Sequence, residues 1–214
     1  MPKIGPRELL NAYANGIFPM AETARSKELF WVNPEWRGII PLDMFHVPRR
    51  LKRTVRQNVY TVHINLRFAE VMALCAETTS ERGETWINSE IRHLYQQLHA
   101  AGHAHSVEAY ADDQLVGGLY GVSLKRAFFG ESMFSRARDA SKVALCHLVA
   151  HLKLKGFVLL DTQFLTEHLA QFGAIEISRP EYLMRLVETS FGMASFDGPP
   201  SSLAGAEVLQ VLGA

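Results

Sequence analysis

Three runs rich in apolar, β-branched and aromatic residues, Ser106–Tyr110, Leu115–Leu124 and Ala127–Phe134, follow one another with only Asp112-Asp113 and Lys125-Arg126 as breaks. Gaps so short allow hairpins and nothing else, because a parallel return needs a crossover of about a dozen residues or more. The segment therefore predicts an antiparallel three-strand meander. After the loop Ser135–Arg138, Asp139 stands where a helix N-cap belongs, and Val143, Leu145, Leu148 and Leu152 carry helical spacing down to Gly156. A buried strand, Phe157–Gln163, comes next. Thr166 then caps a short helix ending at Gly173, Ala174–Ser178 reads as a last strand, and Glu181–Val187 as a helix. The expected fold class is thus α/β (α+β), a mixed sheet flanked by helices.

Upstream, Leu9, Leu10, Tyr13 and Ala14 mark a short amphipathic helix that stops at Gly16. Pro34, Pro41 and Pro48 keep Ile17–Pro48 to turns and short strands such as Arg37–Ile40. Helical spacing returns in Leu66–Cys75 and in Ile91–Ala101, the second closed by Gly102. We divide the chain into a small N-terminal domain (1–36), a main domain (37–190) and a flexible tail (191–214). A meander feeding a helix and a central strand is the layout of acetyltransferase-like (GNAT-like) cores, an analogy of fold and not of function.

With 48% apolar and 21% charged residues, the chain of 214 can bury a core, and disorder over most of its length is excluded. It lacks the ~20-residue apolar run of a membrane span and opens without a secretory signal, so a soluble, cytoplasmic protein is expected. Cys75 and Cys146 are too far apart for a Cys-x-x-Cys site and read as buried thiols. The formal net charge of +0 hides an asymmetry, because residues 1–60 hold 10 Lys/Arg against 5 Asp/Glu. Its centre is Arg49-Arg50-Leu51-Lys52-Arg53-Thr54-Val55-Arg56, which suits either a surface that meets phosphates or a solvated helix face.

Asp161 and Gln163 leave one face of their strand while Thr162 leaves the other. An acid in so apolar a run needs a reason, since an unpaired buried carboxylate costs several kcal/mol. It either serves a ligand site at the strand end or holds a loop or an arginine. Glu131, alternating with Phe129 and Met133, reads as one acid on an apolar face, a pocket contact or an edge glutamate reaching solvent. His99, His103 and His105 lack the rigid set a metal needs, and Cys146 beside His147 diverges on its helix. No G-x-S-x-G elbow or Walker loop is present, and Ser135–Lys142 has no glycine to cradle a coenzyme A pyrophosphate.

Asn15-Gly-Ile-Phe-Pro19, Phe45-His-Val-Pro-Arg49, Thr85-Trp-Ile87, Gly102-His-Ala-His-Ser106, Leu115-Val-Gly-Gly-Leu-Tyr-Gly121, Phe129-Gly-Glu-Ser-Met-Phe-Ser135, Ala140-Ser-Lys142 and Asp161-Thr-Gln163 resemble, in collinear order, the bacterial leucyl/phenylalanyl-tRNA protein transferases. The resemblance implies transfer of Leu or Phe, and of Met in some cases, from aminoacyl-tRNA to the α-amine of proteins beginning with Arg or Lys, creating a degradation signal. It further implies a monomer with neither metal nor coenzyme A. Carried over residue by residue, it implies tRNA binding by Arg49, Arg50, Lys52 and Arg53, stacking of the terminal adenosine on Trp86, and an aminoacyl pocket of Met133, Leu145, Leu148, Leu152 and Leu160. Glu131 would sit at the pocket's mouth, with Asp161 and Gln163 aligning the attacking amine. Met20 stands where the family often has tryptophan. The rival readings are a coenzyme A-dependent N-acetyltransferase and a non-catalytic RNA-binding module.

Overall fold

The computed structural model describes residues 4–78, 83–198 and 203–214. In chain order the elements are α1 (Pro6–Ala14), β1 (Phe18–Met20), β2 (Phe30–Val32), β3 (Trp36–Ile40), a 3-10 turn at Leu42–Met44, α2 (Arg49–Arg56), β4 (Thr61–Ile64), α3 (Phe68–Cys75) and α4 (Ser89–Ala100). They continue as β5 (Ala104–Ala111), β6 (Gln114–Leu124), β7 (Ala127–Ser135), α5 (Ala140–Leu154), β8 (Leu159–Gln163), α6 (Glu167–Ala170), β9 (Ile175–Ser178), α7 (Arg179–Glu188) and α8 (Gly205–Leu212). Among the described residues no helix is long and apolar enough to cross a membrane.

The meander is as expected. Asp112 and Asp113 both take left-handed backbone angles (φ 47° and 62°) in a two-residue turn, the geometry that matches strand twist. Around it, β4-β5-β6-β7-β8-β3-β9 form a seven-stranded sheet, with β1 and β2 as a separate hairpin. Every pairing is antiparallel except β7 with β8. The sheet separates two apolar layers. Leu9 and Tyr13 of α1, Val71 of α3, Ile91 and Leu98 of α4 and Tyr182 of α7 pack on one side. On the other lie Leu51 and Val55 of α2, Leu145 to Leu152 of α5, and Val208, Leu209 and Leu212 of α8.

Two local features make room for a site. First, β7 and β8 pair only from Ala127–Phe129 to Leu159–Asp161, after which β7 continues with β6 to Ser135 while Gln163 leaves the β region (φ 64°). Second, Gly121 pairs with Gly130 but Tyr120 pairs with Ser132, so Glu131 is an extra residue in the ladder. Gly121 is required there, because a Cβ would lie 2.3 Å from the Phe129 carbonyl oxygen. The bulge reverses the alternation: Phe129 and Phe134 belong to the α4 layer, whereas Met133 packs in the α5 layer. Glu131 and Met133 therefore do not share the face that simple alternation assigns them.

Three further expectations are corrected. Asp139 does not cap α5: its backbone is left-handed (φ 62°), unlike the extended N-cap, and its carboxylate lies 3.2 Å from Lys142 Nζ. The segment after residue 190 is not a flexible tail in its described parts. Phe196 is buried against Phe128, His105 and His151, and α8 inserts Val208, Leu209 and Leu212 into the core. Strand β4, with only Thr61, Val62, His63 and Ile64, was not anticipated.

Candidate active site

Where β7 and β8 part, a cavity of about 680 Å³ opens. Its apolar recess is built on the α5 side by Leu119, Met133, Leu145, Leu148, Leu160 and Leu169. Toward the other layer stand Trp86, Tyr120, Glu131, Gln163 and Phe164, with Met20 from the β1–β2 hairpin. The structure thus gathers Trp86, Met133, Leu145, Leu148, Leu160, Glu131 and Gln163 around one space. Leu152 is not in the wall: it is fully buried one helical turn beyond Leu148, as plain core.

Asp161 does not reach the cavity either. It is 0% exposed, and its carboxylate accepts from Arg37 Nε (2.9 and 3.1 Å), Arg37 Nη2 (2.7 Å), Tyr182 Oη (2.6 Å) and the Gln163 backbone N–H (2.7 Å). The Arg37 guanidinium donates a further bond to the Gly16 carbonyl (2.9 Å) and lies over the rings of Phe18 and Tyr182. Of the two readings open for Asp161, it holds an arginine. Its service to the cavity is indirect, since the bond to the Gln163 N–H fixes the strand end from which Gln163 projects.

Glu131 is the acid that faces the cavity. Gln163 Nε2 donates to its Oε1 (3.0 Å), Tyr13 Oη donates to the same oxygen (2.6 Å), and Tyr95 Oη donates to Oε2 (3.0 Å). The two phenols are also hydrogen-bonded to each other. No cation pairs with this carboxylate among the described residues. Burial pushes its pKa up to about 7, against the opposing pull of these donors and with Asp161 adding to the rise. Burial and the same carboxylate hold both phenols protonated. Because the amide nitrogen of Gln163 is committed to Glu131, its amide oxygen is left to accept from a ligand. Thr162 Oγ1 and His168 Nε2, on residues of the cavity wall, are buried without a hydrogen-bond partner among the described residues. At about 1–3 kcal/mol for each such group, they are polar atoms the wall can offer to a ligand.

Tyr13, Tyr95, Arg37 and Tyr182 were missed as site residues. Tyr13 and Tyr95 registered only as apolar positions of helices, and the one available signal was Arg37, a lone cation heading the apolar run Gly38-Ile39-Ile40. The histidines have structural work. His105 bonds to Ser123 Oγ (2.9 Å) and stacks on Phe196, burial lowering its pKa to about 3. Burial likewise pushes the Cys146 thiol up to about 12.

Arg49, Arg50, Lys52 and Arg53 lie outside the cavity, on α2. Leu51 and Val55 face inward, while Arg49, Arg50, Arg53 and Arg56 are exposed. None of these bases has an acid within ion-pair distance among the described residues. Tyr60, just beyond α2, donates to the Arg138 carbonyl (2.7 Å), which joins this surface to the loop that enters the cavity wall at Ser135 and Arg136.

A solved crystal structure of FemX superposes with a TM-score of 0.52, at 13% identity, over 82% of this chain and 70% of that one, a likeness of fold alone. Fold and cavity together define a mixed α/β protein with a cavity between two parted parallel strands. The chain belongs to the leucyl/phenylalanyl-tRNA protein transferase family and is an aminoacyltransferase. The model of that family matches residues 39–187, and the model of its N-terminal domain matches residues 3–35. Leucyl/phenylalanyl-tRNA--protein transferases of Maricaulis maris (strain MCS10) and Rhodopseudomonas palustris (strain HaA2) are each 56% identical to it, over 98% and 99% of this chain and 97% and 96% of theirs.

Proposed function

We propose that the protein transfers Leu or Phe, and in some cases Met, from aminoacyl-tRNA to the α-amine of proteins beginning with Arg or Lys, and that the product is a degradation signal. The observation that carries this reading is the pairing, in one cavity, of an apolar recess with the Glu131–Gln163 acid and amide. Met133 and the leucines suit side chains without charge, and unbranched Met repacks around either Leu or Phe. Glu131 supplies negative charge for a cationic N-terminal residue. Trp86 offers a face for the terminal adenosine, a contact worth about 1–3 kcal/mol. The acetyltransferase-like description of the main domain, the monomeric state and a cytoplasmic location belong to the same proposal, as does catalysis without coenzyme A.

The chemistry asks little of the side chains. The donor ester is already activated, and an α-amine of pKa ~7.7 to 8.0 is about a tenth neutral at pH 7. As the amine nitrogen bonds to the acyl carbon, the bond to the ribose oxygen breaks and that oxygen leaves with a proton. Holding amine and ester in attack geometry can supply ~7 to 11 kcal/mol. Gln163 is suited to this through its amide oxygen, with Glu131 orienting the amide.

The test presents Phe-tRNA, acetyl-CoA and an Arg-starting peptide in combination. Peptide phenylalanylation with no acetylation is expected, and acetyl transfer would replace the reading with an N-acetyltransferase. A parallel arm changes Arg49, Arg50 and Arg53 to Glu. Affinity for tRNA should fall and its dependence on salt should flatten. Unchanged affinity and slope would return α2 to a solvated helix face.

A further inference from the structure

The basic helix α2 is a poor helix by its own means. It has eight residues, no side-chain N-cap bond and no acid in its first turn. The like charges Arg49/Arg53 and Lys52/Arg56 stand at i,i+4, where they repel. A helix this short does not persist on propensity. Its inward residues, Leu51 and Val55, share a core cluster with Val208, Leu209 and Leu212 of the C-terminal helix α8. The approach is close: a Cβ on residue 205 would lie 1.8 Å from the Val55 carbonyl oxygen, so only glycine lets α8 start where it does. Asn58, left-handed at φ 48°, closes the joint by accepting the Gly205 N–H on Oδ1 (2.7 Å). The segment before α8 is pinned as well. Phe196 is held among Phe128, His105 and His151, and Lys155 Nζ donates to the Asp197 and Gly198 carbonyls (2.7 and 3.0 Å).

We infer that α8 is a brace for the nucleic-acid-binding helix: Gly205 and Asn58 are positioning residues that hold the α2 cations in a fixed array against tRNA, without themselves touching RNA or the reacting atoms. This rests on the proposed tRNA-binding role of α2 and extends it to Asn58, next to that helix, and to Gly205 of α8, which lies beyond the matched span 39–187 of the family model. An array of charges on a loosened helix still attracts phosphate, but it no longer presents its charges at the spacing of a duplex backbone. The brace therefore bears on recognition of the whole tRNA and leaves intact the cavity, whose wall contains no residue of α2 or α8.

The experiment compares Asn58→Gly and Gly205→Ala with the unaltered chain, using two donors: whole Phe-tRNA and a 3′-phenylalanyl adenosine that reaches only the cavity. Asn58→Gly keeps the left-handed turn and removes just the side-chain joint, so it covers the case in which Gly205→Ala fails to fold. Both variants are expected to raise KM for Phe-tRNA, by about threefold for Asn58→Gly and tenfold for Gly205→Ala, with kcat unchanged and with normal use of the adenosine donor. Wild-type KM for Phe-tRNA in folded variants overturns the brace. So does an equal loss with both donors, which would mean general damage. If the α2 charge reversals leave tRNA affinity untouched, the reading of α2 itself fails, whatever the two joint variants do.

Discussion

Asp161 and Glu131 are close in the fold and opposite in circumstance. Around Asp161 a guanidinium, a phenol and a backbone N–H fill the carboxylate, which is 0% exposed and outside the cavity wall. Around Glu131 the donors among the described residues are all neutral, and one side is open to the cavity. A buried acid given a fixed cation is a structural element. One given phenols and an amide keeps a pKa near neutrality and remains available to a substrate.

The sharpest way to break the comparison is to remove half of the closed pair. Arg37→Met or Asp161→Ala should lower stability by about 3–5 kcal/mol in denaturant unfolding, because each strands a buried group without its partner. A change below about 1 kcal/mol would show that Asp161 is not structural. On the open side, Gln163→Ala should cost about 100-fold in kcat/KM while shifting stability by less than about 1 kcal/mol. Loss of fold in that variant would make the two sites alike. The third outcome concerns pH. Glu131 has a folded pKa raised to about 7 from the ordinary 4.5, so its contribution favours the fold at low pH and is lost as pH rises between those values. Stability of the unaltered chain should therefore fall by about 2 kcal/mol more than that of Glu131→Gln between pH 5 and pH 8. Parallel curves would place a cation near Glu131. The smallest effect belongs to the recess: Leu148→Phe should penalise Phe donors over Leu donors by about tenfold in kcat/KM, whereas equal loss would make Leu148 ordinary core.

These differences also explain what the residues alone could tell. The meander was legible because turn residues and strand runs are local, and the inward leucines of α5 follow from helical period. The pairing of Arg37 with Asp161 was not, since the partners stand 124 positions apart and nothing in either neighbourhood names the other. The face of Met133 was misjudged for a different reason: a one-residue bulge changes neither composition nor pattern, only the ladder partner of everything after it. α8 was hidden by its setting, a short apolar stretch behind the turn-rich Gly198-Pro199-Pro200 segment, and its role depends on where Val55 lies.

The bulge at Glu131 has a consequence for how such an enzyme changes over time. Because one strand sends its acid into the α4 layer and Met133 into the α5 layer, the acid and the apolar recess of the cavity are lined from separate cores. A substitution that reshapes the recess is absorbed by α5, and one that alters the charge at Glu131 is absorbed by Tyr13 and Tyr95. Under the proposed function, donor range and acceptor choice can then drift independently, as two dials on one strand.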